Sequence, residues 1–182
     1  MAAGAVFGLK DGGGGKAAAP PAPTTGTPTA TPAALSVPDA TPLAPAAARQ
    51  KAAAICRSAN TYYQTEFNDG VTLILNRPAT GSDPAFSAWY KKAENGDQQR
   101  WKTASAEVYG HFTAADEPSS VRDWYDDNGL LSADLSILAH DGQEAGGPPD
   151  AAARQAVKEV VAHFRGDFAD AQKNADRIAA GK

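Results

Sequence analysis

The sequence predicts an all-α protein: an antiparallel up-down four-helix bundle preceded by a disordered tether rich in Ala, Pro and Thr. The first observation is that residues 17–45 hold eight of the thirteen prolines and no aromatic residue. Such a segment cannot bury enough apolar surface to offset the entropy of ordering it. The second is that apolar residues beyond Pro45 recur at the spacing of helices, whereas no segment alternates like a strand. We therefore assign residues 1–45 to the tether and residues 46–182 to the helical-bundle domain.

The tether begins with an apolar stretch at residues 2–9, followed by Lys10, Asp11 and a run of glycines. This stretch is too short to span a bilayer. Its position before a charged stop and a Pro/Thr-rich spacer is typical of the outer end of a membrane anchor, which predicts an extracytoplasmic protein, membrane-tethered or secreted. The Ala, Gly and Pro content is also typical of exported bacterial proteins. A disordered tail on a soluble cytoplasmic protein is the alternative interpretation.

The first helix is predicted to begin at Pro45, where the helical spacing of apolar residues starts. Residues 68–70, Asn-Asp-Gly, form a stop signal, but the apolar run at residues 71–75 favours a helix that continues through it. The single cysteine, Cys56, is interpreted as a small buried side chain of this helix, and a lone cysteine excludes an internal disulfide. The apolar stripe consists of Ala48, Ala52, Ile55, Ala59, Tyr62 or Tyr63, and Phe67.

The second helix is predicted to begin at the N-cap Asp83, which precedes Pro84 in the first turn. It is predicted to end at residues 116–118, Asp-Glu-Pro. Residues 95–97, Asn-Gly-Asp, weaken its middle, so a kink or a turn of unwinding is expected there. The stripe consists of Phe86, Trp89 or Tyr90, Ala93, Asp97, Trp101, Ala104, Val108 and Phe112.

A serine at residues 119–120 is predicted to cap the third helix, which can divide at residues 128–129 and ends near His140. A Gly- and Pro-rich loop at residues 141–149 follows, and Asp150 caps the fourth helix. Four helices joined by short loops predict the up-down order of a bundle. The apolar stripes are Val121, Trp124, Tyr125, Leu131, Leu135 and Leu138 in the third helix, and Ala153, Ala156 or Val157, Val160, Phe164, Phe168, Ala171, Ala175 and Ile178 in the fourth.

Two pairs of adjacent aromatic residues are the candidate partner-binding residues: Trp89 with Tyr90, and Trp124 with Tyr125. The simplest interpretation places aromatic residues at helical spacing in the core, where their rings fill the space that alanines on facing helices leave. If only one member of each pair points inward, the other two rings form an exposed patch. Such a patch is able to bind a peptide, a sugar or a partner helix.

Two Glu–His pairs at i,i+4 spacing, Glu107 with His111 and Glu159 with His163, are the candidates for metal binding or catalysis. In an antiparallel bundle His111 lies near the end of the second helix and His163 near the middle of the fourth, an axial offset of roughly 20 Å. The pairs therefore cannot share an ion. His140 is predicted to interact with the dipole at the end of the third helix. The sequence thus predicts no catalytic residue, no metal ligand and no cofactor.

The net charge of the chain, −4, belongs to the helical domain because the charged residues of the tether cancel. An acidic domain is unsuited to general nucleic-acid binding, which needs a basic face. The sequence therefore predicts a non-enzymatic interaction module, tethered to a membrane, whose partner is a protein or another component of the cell envelope. Two alternatives stay open: a structural or assembly component whose N-terminal segment orders on a partner, and a metal-binding or enzymatic bundle that uses the two Glu–His pairs.

Overall fold

The computed structural model describes residues 43–182, and within this part of the chain it contains five α-helices and no β-strand. The predicted all-α character is therefore confirmed. Most of the predicted tether, including the candidate anchor at residues 2–9, lies outside the described residues. The helices are α1 (Pro45–Leu75), α2 (Pro84–Ala93), α3 (Gln98–Tyr109), α4 (Ser120–Ala145) and α5 (Ala151–Ala179).

Helix α1 continues through Gly70 to its end at Leu75, so the predicted continuation is confirmed. Gly70 is buried, and the ring of Trp89 on α2 occupies the space where a larger residue would place its side chain. The indole Nε1 of Trp89 donates a hydrogen bond to the carbonyl oxygen of Glu66 at 2.9 Å. Glycine weakens an isolated helix, but at this position it allows α2 to approach α1 closely.

The predicted second helix is in fact two helices, α2 and α3, which are divided at residues 94–97. Gly96 has a φ of 64° and Asp97 a φ of 45°, and both values lie in the left-handed region that a continuous α-helix does not use. The hydroxyl of Ser132 on α4 donates to the carbonyl oxygen of Gly96 at 2.6 Å. The hydroxyl of Tyr62 on α1 donates to the carboxylate of Asp97. The expected weak point is therefore a break that two other helices hold in place.

Helix α3 ends at Tyr109, short of the predicted stop at residues 116–118, so this prediction is wrong. Gly110 is the C-cap, and its N–H donates to the carbonyl oxygen of Ala106 at 3.0 Å. Glycine in a helix costs about 1 kcal/mol relative to alanine. Beyond it, Phe112 packs against the core from a turn and not from a helix.

Helix α4 neither divides at residues 128–129 nor ends near His140, and both predictions are wrong because the helix runs to Ala145. Asn128 is buried, and its amide donates to the Oδ1 atom of Asn60 on α1 at 3.0 Å. This tertiary hydrogen bond provides an acceptor for the amide N–H of a side chain that the local sequence marks as a turn residue. His140 consequently lies on the exposed side of the helix and not at its terminus.

The predicted loop at residues 141–149 is correspondingly shorter, because it begins only after α4 ends. Gly142 lies inside α4, where its carbonyl oxygen accepts a hydrogen bond from Arg77 and the side chain of Ile74 lies against its Cα. Gly146, with a φ of 64°, then ends the helix as its C-cap. Contacts with α1 thus keep helical a segment whose sequence favours a loop.

The predicted N-caps of α2 and α5 are confirmed. The carboxylate of Asp83 accepts a hydrogen bond from the N–H of Phe86 at 3.0 Å, and that of Asp150 accepts one from the N–H of Ala153 at 2.8 Å. Ser119 occupies the N-cap position of α4 without a capping hydrogen bond from its side chain. Two of these three helix starts therefore have the side-chain capping hydrogen bond that the local sequence predicts.

Helix α5 packs against α1 and α4 and runs in the opposite direction to both. Residues near the start of α1 or α4 contact residues near the end of α5, which fixes these directions. Helices α2 and α3 also contact both α1 and α4. Between α1 and α5, Arg57 forms an ion pair with Asp176 at 2.8 Å, and the rings of Phe67 and Phe164 stack with centroids 3.9 Å apart. Between α4 and α5, Asp123 forms an ion pair with Arg177 at 3.0 Å.

Cys56 is fully enclosed in the core, as its interpretation from the sequence expects. Burial raises the pKa of its thiol to about 12, because the thiolate would lose its hydration there. The thiolate is the reactive form of cysteine. Cys56 therefore acts as a small apolar side chain between α1 and its neighbours.

Candidate functional site

An apolar groove lies between the C-terminal half of α1 and the N-terminal half of α5, with a volume of about 580 Å³. Val71 and Leu75 form its α1 wall, and Val157 and Val161 form its α5 wall. Each pair has i,i+4 spacing, so its two side chains lie on one face of their helix. Val157 is buried, while the other three are only half-buried. Apolar surface therefore remains accessible along the groove.

Three exposed basic side chains border this groove: Arg154, Lys158 and Arg165. No acidic residue lines it, and none of the three forms an ion pair with another described residue. The Nε atom of Arg154 donates to the carbonyl oxygen of Pro149 at 3.1 Å, which holds this side chain at the end of the groove. The α1–α5 groove is therefore apolar with a positive border, on a chain whose net charge is −4.

Of the four candidate partner-binding aromatics, the two tryptophans lie in the core. Trp89 is 7% exposed and Trp124 is fully enclosed. The Nε1 atom of Trp124 donates to the Oδ1 atom of Asn60 at 3.0 Å. Their rings therefore fill space between helices, as the core interpretation of helical aromatics expects.

The two tyrosines, Tyr90 and Tyr125, are half-buried, so each pair has one member inside and one partly outside. The ring of Tyr90 meets the ring of His140 edge-on, with centroids 6.0 Å apart. The ring of Tyr125 packs against that of Trp101, with centroids 4.9 Å apart. Binding of a partner by these residues stays a prediction, and the tyrosines present most of the surface for it. A second groove of about 500 Å³ lies beside Trp101 and His140, and its polar lining residues include Asn95, Gln98, Ser132, Ser136, His140 and Asp141.

Two large apolar residues of α4 are also exposed: Leu130 and Ile137, each 48%. They are seven residues apart and so lie on the same face of the helix. Singly exposed apolar residues are ordinary on protein surfaces. The α1–α5 groove differs from this face because it combines several apolar side chains with charge of one sign.

The histidines occupy separate places, and only His163 lies in a cluster of potential ligands. Among residues 43–182, the one group of three His, Cys, Asp or Glu side chains close enough to share a cation consists of Asp134, His163 and Asp167. Neither Glu159 nor the Glu107–His111 pair belongs to it. Asp134 was not a candidate in the sequence because its two neighbours lie on α5, far along the chain. The one signal of this cluster that the sequence contains is the i,i+4 spacing of His163 and Asp167.

Burial, and to a lesser extent the nearby carboxylate of Asp167, raise the pKa of Asp134 to about 6, although His163 opposes this shift. Asp134 is 6% exposed, so its ionised form loses most of its hydration. Asp127, about two helical turns earlier on α4, also has a pKa raised by burial, although a hydrogen bond from Asn174 opposes that shift. Ionisation of these two carboxyl groups at the α4–α5 seam is therefore less favourable than it would be in water.

The chain matches no protein-family model, and no curated protein or solved structure is significantly similar to it. Within residues 43–182, no helix combines the length and the apolar character that crossing a bilayer requires. What the protein binds must therefore be inferred from the chemistry of its groove and of its side-chain clusters.

Proposed function

We propose that the protein is a non-enzymatic interaction module that binds an acidic, amphipathic helix of a partner protein in the α1–α5 groove. The observation that carries this proposal is the combination of apolar walls with three exposed basic side chains and no lining carboxylate. Burial of apolar surface would supply the affinity of such a complex. The positive border would select an acidic partner and speed its association.

The geometry of the groove favours a helical occupant. Its walls are i,i+4 pairs on two neighbouring helices, and a third helix can pack its own i,i+4 ridge between them. Arg154, Lys158 and Arg165 extend over about 16 Å of α5, which is about three helical turns. Acidic residues over three turns of a partner helix would therefore face them. A bilayer surface is flat, whereas the apolar surface here is concave.

We also propose that the helices form an up-down four-helix bundle in which α2 and α3 together take the place of the second helix. The opposite direction of α5 relative to α1 and α4 supports this arrangement. The contacts of the α2–α3 break with Tyr62 on α1 and Ser132 on α4 also support it. In such a bundle the α1–α5 groove is the seam between the first and last helices.

The tether of residues 1–45 is proposed to hold the module outside a bacterial membrane, with residues 2–9 as the outer end of the anchor. The apolar stretch, the charged stop and the Pro/Thr-rich composition support this location. The partner is then a protein or another component of the cell envelope. Protease added to spheroplasts of the source cells is expected to digest the domain without lysis. Digestion that occurs only after lysis would contradict this location.

The groove is tested with a fluorescent model helix that has leucines at i, i+3, i+4 and i+7 and glutamates on both flanks. Binding of the full chain is followed by fluorescence anisotropy. Lys158→Glu and Arg165→Glu are each expected to weaken binding about tenfold, or ~1.4 kcal/mol, because an attractive charge pair becomes a repulsive one. Both residues are exposed, so neither change should disturb folding.

Lys173→Glu is the matched control, because it makes the same charge change at an exposed position of α5 that does not line the groove. It should leave the affinity unchanged. A model helix with lysines in place of the glutamates should bind far more weakly. Equal affinity of all three variants for the acidic helix would refute the proposal. Binding to phosphatidylserine vesicles without binding to the helix would replace it with a membrane-docking function.

A further inference from the structure

We propose that Asp134, His163 and Asp167 bind a divalent transition-metal cation that joins α4 to α5. His163 and Asp167 are four residues apart on α5 and so lie on one face of it, opposite Asp134 on α4. The ligand atoms of the three side chains all lie within 4.8 Å of one another. Ligand atoms around a tetrahedral Zn²⁺ are about 3.4 Å apart, given metal–ligand distances of about 2.1 Å. Binding would therefore draw the three side chains closer together, and His163 is exposed.

The burial of Asp134 is a separate observation that points to a cation. The residue is 6% exposed, and its Oδ2 atom accepts no hydrogen bond from any described residue. A buried carboxylate oxygen without a donor is costly, and such a group is usually paired or bound to a metal. The ionisable groups that act on it are a second carboxyl group, that of Asp167, and the imidazole of His163. A divalent cation would offset the charge of both carboxylates.

Two other carboxylates along the α4–α5 seam have partners of their own, so they do not need a cation. The proposed site differs because its two carboxylates face each other without an Arg, Lys or Asn between them. The partnered carboxylates are Asp123, which contacts Arg177 at 3.0 Å, and Asp127, which accepts a hydrogen bond from Asn174 at 2.7 Å.

The ligand set indicates which cations fit. Two carboxylate oxygens and one imidazole nitrogen suit Zn²⁺, Mn²⁺ or Fe²⁺, whereas Ca²⁺ and Mg²⁺ prefer oxygen ligands alone. At a given site of this kind Zn²⁺ binds more tightly than Mn²⁺ or Fe²⁺. Three protein ligands leave at least one coordination position for water. Zn²⁺ is therefore the first probe, and Co²⁺ is its spectroscopic substitute.

The test titrates Zn²⁺ into the untagged full chain, after treatment with a chelator, by isothermal calorimetry near neutral pH. We expect a single saturable site, and a melting temperature that rises with Zn²⁺ because the cation binds the folded state. Asp167→Asn and His163→Gln should each weaken Zn²⁺ binding by at least about tenfold, since even altering an outer-shell partner costs this much. Bound Co²⁺ should show the visible absorption of low-coordinate Co²⁺, and both variants should lose it.

Two matched controls distinguish this site from adventitious binding. His140→Gln removes an exposed histidine of α4 outside the cluster, and Glu159→Gln removes the glutamate four residues before His163. Both should retain the affinity of the unmodified chain. Circular dichroism before each titration establishes that the variants fold. Absence of Zn²⁺ binding, or equal loss in the cluster variants and the controls, would overturn the proposal. Unchanged affinity in Asp167→Asn and His163→Gln would overturn it as well.

Discussion

Replacing Trp124 with alanine is expected to lower the free energy of unfolding by about 3–5 kcal/mol. The ring is fully enclosed, so its removal leaves a cavity that the surrounding helices fill only partly. The change also removes the donor that bonds the Oδ1 atom of Asn60 at 3.0 Å, and leaves that atom with Asn128 as its donor. Loss of packing and loss of a buried hydrogen bond therefore act in the same direction.

The measurement is urea unfolding of the variant and the unmodified chain, followed by circular dichroism. Trp101→Ala is the matched control, because it removes the same side chain from a half-buried position. Trp101 contacts Tyr125 and donates to its carbonyl oxygen at 3.2 Å, so we expect a smaller loss of about 1–2 kcal/mol. A loss for Trp124→Ala no larger than that for Trp101→Ala would show that Trp124 is not a core residue.

Replacing Gly70 with alanine is expected to destabilise the domain by about 1–3 kcal/mol, although alanine is the better helix former. Helix propensity alone would favour the alanine by about 1 kcal/mol. The added methyl group would overlap the ring of Trp89, whose position is fixed by its hydrogen bond to Glu66. Overpacking should outweigh propensity because the ring must shift to admit the methyl group, which disturbs its packing and its hydrogen bond to Glu66.

Gly166→Ala provides the opposite case on α5. Gly166 is exposed, and no atom lies within 4 Å of the position that its Cβ would occupy. This change should therefore raise the free energy of unfolding by about 0.5–1 kcal/mol. Thermal and urea unfolding of both variants compare the two effects directly. Stabilisation by Gly70→Ala would mean that α2 does not approach α1 as closely as the structure has it.

The helices and the caps Asp83 and Asp150 could be predicted because their signals are local. Apart from the end of α3, where the neighbouring Gly110 is the C-cap, the errors arose where a distant residue decides the outcome. Asn128 stays helical because Asn60 bonds it from α1, and Gly142 stays helical because α1 packs against it. Sequence spacing contains no information about such partners. The same limit applies to Asp97, whose left-handed conformation is held by Tyr62.

The candidate sites were less predictable than the fold. The apolar spacing of Val157 was visible in the sequence, but the groove also needs α1 beside it. Asp134 falls among apolar residues of α4, and its neighbours His163 and Asp167 are about thirty residues away. The i,i+4 rule connects residues on one helix only. A site between two helices therefore depends on their register, which the sequence alone does not specify.

Binding of an acidic helix in the α1–α5 groove is tested most directly by NMR of the ¹⁵N-labelled full chain. Titration with the leucine–glutamate model helix is predicted to shift the amide resonances of residues 71–75 and 154–165 before those of other residues. The lysine-substituted helix should produce no such shifts. Shifts concentrated around Tyr90 and Tyr125, or no shifts at all, would contradict the proposed function.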